Sequence, residues 1–349
     1  MSSDEYAQIT SQFRSLERKA DGLRDDANLT DISRELGELT GDVTGLPGRI
    51  EGLRRRGYTY AAYLEHKAEV LRQRWDPAYQ AAQRAIESEV DHLRGMLEEV
   101  DQVVRKAQMM EAKPPAMEGM FPAIESAIET LENATEAATA RIEAQFRPVA
   151  REIKQTGSQI DKIEWYLEQQ DEASFDFLAG EALFLAAEAE WAATGKGRKD
   201  PDGILYLTDQ RLLFEQKEKT GKRLGMFGGQ LTQELEWEIP LNQIEGVTAE
   251  KQGMFGGKDM LNFSLSGGDF DTLTVEVKGG VDCKFWAAQI KRMISGETDD
   301  ERAIEPDEEL LESIREAPTA CPVCGATLPL LVAGQRQIEC GFCGAVVRL

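Results

Sequence analysis

Four of the five cysteines fall into two pairs, Cys321-Pro-Val-Cys324-Gly and Cys340-Gly-Phe-Cys343-Gly, which together read C-x₂-C-x₁₅-C-x₂-C. Thiolates at this spacing can meet at one tetrahedral Zn²⁺, and a glycine after each pair permits the tight knuckle turn. Four sulfur ligands leave no open coordination position, so the expected zinc is structural and not catalytic. Paired cysteines of this kind fit metal binding in a reducing compartment better than a disulfide framework. The fifth, Cys283, opens an expected helix. A helix N-terminus can depress a thiol pKa, but the residue reads as a buried inert cysteine.

The second constellation is basic and apolar. Lys196, Arg198 and Lys199 precede the second of seven expected strands. Lys217, Lys219, Lys222 and Arg223 follow the third, and Lys251 and Lys258 bracket the loop after the fifth. Two of these loops carry one pentapeptide, Gly225-Met-Phe-Gly-Gly229 and Gly253-Met-Phe-Gly-Gly257, and a third Gly-Met-Phe stands at 119–121. A Met-Phe pair between glycines contributes little to a strand, and exposing it is costly, so it should meet an apolar partner. Three readings remain open for Met226, Phe227, Met254 and Phe255. They enter the acyl boundary of an anionic membrane while the lysines reach lipid phosphates, they contact protein, or they pack inside the domain.

Other chemistry is sparse. Neither a G-x-x-x-x-G-K-[ST] phosphate loop nor a G-x-S-x-G elbow occurs, and the two histidines, His66 and His92, lie in helical stretches. The expectation is a protein that is not an enzyme. With 63 Asp+Glu against 40 Lys+Arg and a formal charge of −23, the chain is poorly suited to neutralising nucleic-acid phosphates. The start, MSSDEYAQ, has no apolar h-region, and the expected location is cytoplasmic, extending to the inner membrane face as a peripheral protein.

These groups must be positioned by distinct kinds of element. From residue 6 to about 170, apolar residues recur at alternating spacings of three and four, the seam of a coiled coil. The seam runs from Tyr6 to Leu23, restarts over Leu29–Leu53 and Ile86–Ala107, and continues over Ile124–Leu167 with a stutter between Ile142 and Phe146. The prolines in 112–122 break the pattern, which predicts an antiparallel rod with arms of roughly fifty residues, about 75–80 Å long. The predicted hairpins span about 2–56 and 59–170. Gly37, Gly41, Gly45, Gly48 and Gly52 together with Pro47 predict either a kinked, soft second helix or a face that another helix approaches closely.

From 173 to 296 the period changes to that of short strands at 182–190, 203–208, 211–216, 233–239, 244–251, 261–265 and 272–277. A helix follows at 282–295, with Phe285, Trp286, Ile290 and Met293 on its apolar face. The run Gly203-Ile-Leu-Tyr-Leu-Thr-Asp-Gln-Arg-Leu-Leu-Phe214, with Ile239-Pro-Leu-Asn-Gln-Ile244 and the late Trp286, resembles the GRAM and bacterial PH-like family. The resemblance implies a seven-stranded barrel capped by a C-terminal helix over about 175–296, in a family that includes membrane binders and members that bind only protein. Residues 297–320 read as an acidic linker with a short helix at 308–315. Residues 321–349 resemble a zinc ribbon, with a hairpin formed by 328–332 and 337–339, standing as its own fold unit.

The expected whole is therefore multidomain: a helical coiled-coil rod (1–172), a PH/GRAM-like domain (173–296), a linker and a zinc ribbon. Its expected role is a cytoplasmic adaptor or scaffold that assembles with itself or with protein partners through the rod. The β-domain would recruit it to an anionic membrane lipid or a protein, without nucleic acid. The alternative is a membrane-remodelling or filament-forming protein.

Overall fold

A computed structural model describes residues 3–194, 200–220, 230–253, 257–335 and 337–348. The chain divides into two compact units: Met1–Arg49 with Glu65–Ser158, and Ile50–Leu64 with Gln159–Leu349. Among the described residues, no helix is long and apolar enough to cross a membrane.

The first unit is built from α1 (Ser3–Ala27), α2 (Thr30–Arg55), α3 (Tyr63–Gln108), the short α4 (Pro114–Glu118) and α5 (Phe121–Asp171), of which α2, α3 and α5 also extend into the second unit. The expected seam is its core. Ile9, Phe13, Leu16, Ala20 and Leu23 of α1 are buried, as are Leu36, Leu39 and Val43 of α2, whereas Tyr6 is exposed. Cross-helix contacts fix the directions. Arg24 donates to Asp101 at 3.1 Å, Arg94 to Asn28 at 3.0 Å and Trp75 Nε1 to Thr40 Oγ1 at 3.0 Å. Rising numbers in α1 and α2 thus meet falling numbers in α3. Lys19–Glu132 and Lys154–Glu35, both at 2.9 Å, make α5 run parallel to α1 and α2.

These contacts correct the hairpin expected over 2–56. α1 and α2 run one after the other in the same direction, because the break at Asn28 bends the chain without reversing it. Leu29, at φ 53, takes the left-handed conformation there and its side chain is buried. Pro47 does not end α2, and a Cβ on any of its five glycines would meet nothing within 4 Å, so among the described residues no other helix approaches that face closely. The stretch 112–122 holds one short helix, α4, where Pro114 and Pro115 occupy the first turn, whose N–H groups have no intrahelical partner anyway. The Gly-Met-Phe at 119–121 is an internal packing element, with Phe121 buried and its ring 6.3 Å from Phe13.

The second unit is built on a seven-stranded antiparallel sheet of β1 (Leu183–Trp191), β2 (Asp202–Thr208), β3 (Arg211–Thr220), β4 (Gln230–Pro240), β5 (Ile244–Gln252), β6 (Lys258–Leu265) and β7 (Thr272–Val277). The order is β4-β3-β2-β1-β7-β6-β5. No ladder joins β4 to β5 among the described residues, so the pairings there do not close the expected barrel. Gly203 is needed where β2 meets β3, since a Cβ would fall 1.9 Å from Glu215 O.

Helix α6 (Cys283–Ser295) packs on β5 and β6. Asp282 caps it by accepting the Lys284 N–H at 2.7 Å, and Gly296 closes it at φ 78. Its buried stripe is Cys283, Trp286, Ala287, Ile290 and Met293. Phe285, expected on that stripe, lies off it and is 49% exposed. The ends of α2 and α5 belong to this unit: Tyr58 donates to Phe184 O at 3.2 Å, and Trp165 and Tyr166 pack on the Leu183–Tyr206–Leu213 cluster.

The segment after α6 is not a free linker. The Ala62 N–H donates to Glu301 O at 3.0 Å and the Ala303 N–H to Thr59 O at 2.6 Å. Arg302, its side chain 8% exposed, donates to Asp209 at 2.7 Å and lies 4.7 Å from the centre of the Tyr60 ring. Then come α7 (Glu308–Glu316) and two short strands, β8 (Gln337–Glu339) and β9 (Val346–Arg348).

Candidate metal centre and binding loops

The two cysteine pairs sit on matching turns. Gly325 N–H donates to Cys321 O at 2.8 Å and Gly344 N–H to Cys340 O at 2.9 Å, with the two glycines at φ 74 and φ 69. Cys321 N–H returns to Ala326 O at 2.7 Å, and Cys340 N–H to Ala345 O at 2.9 Å. This repeated geometry aims four sulfurs at one point. Cys321 and Cys343 Sγ are 3.7 Å apart, Cys324 and Cys340 Sγ are 3.6 Å apart, and the four lie within 4.8 Å of one another.

A tetrahedral ion with Zn–S bonds of about 2.3 Å requires sulfurs about 3.8 Å apart. The four thiols therefore fit such an ion in number, softness and spacing. Backbone N–H groups of Phe342 and Cys343 hold the Cys340 thiol down at about 7, and those of Cys324 and Val323 lower Cys321. The first cysteine of each knuckle is thus held toward thiolate, the form that binds metal, whereas Cys343, although the Ala345 N–H lowers it, is raised to about 12 by hydrogen bonding with the other thiols and by burial. Cys283 differs. It is buried, and burial followed by the neighbouring Asp259 raises its pKa, which marks it as unreactive.

The hairpin expected between 328–332 and 337–339 does not form. β8 pairs with β9, Ile338 opposite Val347, while Val332 bridges to Leu178 outside the ribbon. The reason is a competing edge. Phe177 and Leu178, ahead of a turn at 179–180, present that edge before β1: the Ala179 N–H donates to Leu331 O at 2.9 Å and the Ala333 N–H donates to Phe177 O at 2.8 Å. Ala179 is buried in the ribbon's own apolar cluster with Leu328, Leu331, Ile338 and Val347, and Ile314 and Ala317 pack against it. The ribbon is docked, not free-standing.

The basic residues are dispersed. Lys196, Arg198, Lys199, Lys222, Arg223, Met226, Phe227, Met254 and Phe255 lie outside the described residues, as does the side chain of Lys219. Their flanking strands nonetheless fix where each loop departs. β1 and β3 run in the same direction, since each is antiparallel to β2, so the 192–201 and 221–229 loops leave from one end of the sheet. β7 is antiparallel to β1 and to β6, and β6 to β5, so β5 runs opposite to β1. The strands that lead into the two Gly-Met-Phe-Gly-Gly sequences, β3 and β5, run in opposite directions.

Lys251 and Lys258 are ion-paired, and Lys258 also lies 4.0 Å from Glu190, one residue before the end of β1. Lys251 lies 3.4 Å from both Asp259 and Asp282, and Lys258 pairs with Glu276. Lys217 is 2.7 Å from Glu172.

Other charged residues went unassigned in the sequence. The Leu-Thr-Asp-Gln-Arg-Leu run is a polar corner. Thr208 Oγ1 accepts the Arg211 N–H at 2.9 Å, Arg211 donates to the fully buried Glu181 at 2.9 Å, and Asp209 accepts the Ala182 N–H at 2.9 Å. Glu215, also buried, accepts from the Ser174 N–H at 2.6 Å and from Gln233 at 3.0 Å. Arg302 carried a signal: it is the one basic residue in the acidic run from 297 to 314.

No family model matches the chain, and no curated protein matches it. Solved structures similar to it include a pleckstrin homology domain from Shewanella amazonensis SB2B, 21% identical, covering 38% of this chain and 97% of that one at a TM-score of 0.24. The Vps36 N-terminal PH domain is 12% identical over 34% of this chain and 92% of its own, also at 0.24. The PDZ-RhoGEF DH/PH domains, in complex with GTP-gamma-S activated RhoA, cover 85% of this chain and 96% of theirs at 13% identity and a TM-score of 0.26. At these values the likeness carries no argument about what this chain binds or does.

Proposed function

We propose that this protein is a non-enzymatic adaptor that assembles through its helices and is recruited to a membrane surface or a protein by its sheet unit, with a structural Zn²⁺ on Cys321, Cys324, Cys340 and Cys343. The observation that carries the recruitment reading is the shared end of the 192–201 and 221–229 loops. In sequence, those loops and the adjoining end of β3 carry Lys196, Arg198, Lys199, Lys219, Lys222 and Arg223 together with Met226 and Phe227. Basic side chains around an apolar tip suit an anionic interface, the lysines acting within a Debye length and the tip by burial. The lysines that flank the 253–257 loop are paired with Asp259, Asp282 and Glu276 and are not counted in this set.

The zinc reading rests on the sulfur spacing, and the role it gives the ion is to cross-link two knuckles. The buried carboxylates Glu181 and Glu215 support a non-catalytic reading, since internal hydrogen bonds consume both.

Flotation of the full chain with vesicles of neutral lipid, with and without phosphatidylserine, tests the recruitment. Binding should need the anionic lipid and fall in high salt. Phe227→Ser should weaken it more than tenfold, since burying that side chain contributes about 2 kcal/mol. Phe255→Ser should leave it unchanged. Failure of the full chain to float at low salt would remove the membrane and leave the protein partner.

A further inference from the structure

The ribbon is too small to fold on its own apolar surface. Chains below about 40 residues usually need a metal, a disulfide or a partner, and the buried core of 321–349 consists of Leu328, Leu331, Ile338 and Val347 beside two cysteines. Whatever the ribbon holds in place is therefore held by the metal. What it holds is the connector between α5 and β1. Two backbone hydrogen bonds and the Leu178–Val332 bridge tie residues 177–179 to residues 331–333. Gly180, at φ 71, lies beneath α7, where an added Cβ would sit 3.4 Å from Leu311 and 3.6 Å from Ile314. Upstream, the chain is fastened independently of the ribbon by Arg302 on Asp209 and Tyr60 and by the bonds of Glu301 and Ala303 to residues 59–62.

Resting on the reading of the four cysteines as a zinc site, we propose that the metal is a latch. Zn²⁺ keeps the ribbon and α7 closed over the 177–180 connector. Loss of the ion releases everything from residue 304 onward and uncovers the 177–180 connector, while the clamp at 301–303 stays shut. The released piece is a tether carrying an amphipathic helix, its Leu311 and Ile314 face uncovered, so the zinc state of the cell sets whether that face is hidden.

Two features make the latch separable from the folding of the sheet. The connector is also held from below, by Arg211 on Asp176 O at 2.9 Å and by the packing of Phe175 and Phe177 on Tyr206, contacts that owe nothing to the metal. The contact can also be cut without touching a ligand. Ala333 is the second residue of a turn in which the Gln335 N–H donates to Val332 O at 3.1 Å and Gly334 has φ 79. Proline is favoured at that position of such a turn, so Ala333→Pro removes the donor to Phe177 O and leaves the turn.

Hydrogen exchange of the full chain, read by mass spectrometry alongside its zinc content, tests this. After chelation the Ala179 amide and the amides of 308–316 should exchange at least about tenfold faster, through local opening, while Ala62 and Ala303 keep their protection. Ala333→Pro should retain its zinc and still lose protection at Ala179. Unchanged protection at Ala179 in a chain shown to be zinc-free, or in Ala333→Pro, overturns the latch and leaves the metal site standing. A chain that takes up no zinc when offered the ion overturns both.

Discussion

The ribbon and the seven-stranded sheet are neighbours built on opposite principles. The sheet and its helix bury Leu205, Leu207, Leu212, Phe214, Leu261, Val275, Trp286 and Ile290, an apolar core that needs no ion. The ribbon buries a handful of apolar side chains and leaves Val323, Leu330 and Phe342 exposed. One is held by area removed from water; the other, on the proposed zinc reading, by four bonds to a point. The difference teaches where each is fragile: a sheet with many contacts loses stability in increments, whereas a cross-linked knuckle loses it all at once.

The largest effect should come from the ligands. Cys340→Ser should take the zinc content from about one per chain to zero and unfold the ribbon, because binding free energy of about 10–16 kcal/mol is folding free energy in such sites. The tryptophan fluorescence of the sheet should hardly change; a collapse of that signal would show the two regions to be one cooperative unit. Acid should do the same as the mutation. The ion needs thiolates, so zinc retention should fall as pH falls and protons compete for the sulfurs, measured by zinc released into a chromophoric chelator.

The reverse experiment is next in size. Trp286→Ala empties a buried site on α6 and should cost the sheet about 3–5 kcal/mol, seen as a lower thermal midpoint, while zinc stays bound. Zinc loss at the same midpoint would break the distinction. Smallest of all, Phe285→Ser should change stability by less than about 0.5 kcal/mol despite its neighbouring position, since its side chain is half exposed. A drop as large as that of Trp286→Ala would mean that the face of α6 is misassigned.

How much was legible follows from the same contrast. Each of the seven strands overlaps its expected stretch, 272–277 being identical to β7, because alternation and turn residues are local signals. The convergence of the four cysteines was legible because two C-x₂-C pairs at a short, regular spacing leave few alternatives. The α6 stripe was read one residue too generously at Phe285, since an apolar residue beside a stripe has the same composition as one within it.

What the sequence by itself determined was therefore what short-range periodicity and cysteine spacing set: helices, strands and the clustering of the four cysteines. What only the tertiary structure decided was pairing between distant segments. Nothing in 297–303 signals that Arg302 will lie on Tyr60, more than two hundred residues earlier, and nothing in 328–332 says that its strand partner will be Leu178. The same holds for α1 and α2, whose seam permits a hairpin as readily as the parallel run along α5 that Lys19 and Lys154 mark. Hydrogen-bonding edges and apolar seams are satisfied by any matching partner, so their choice depends on which surfaces the rest of the fold brings within reach.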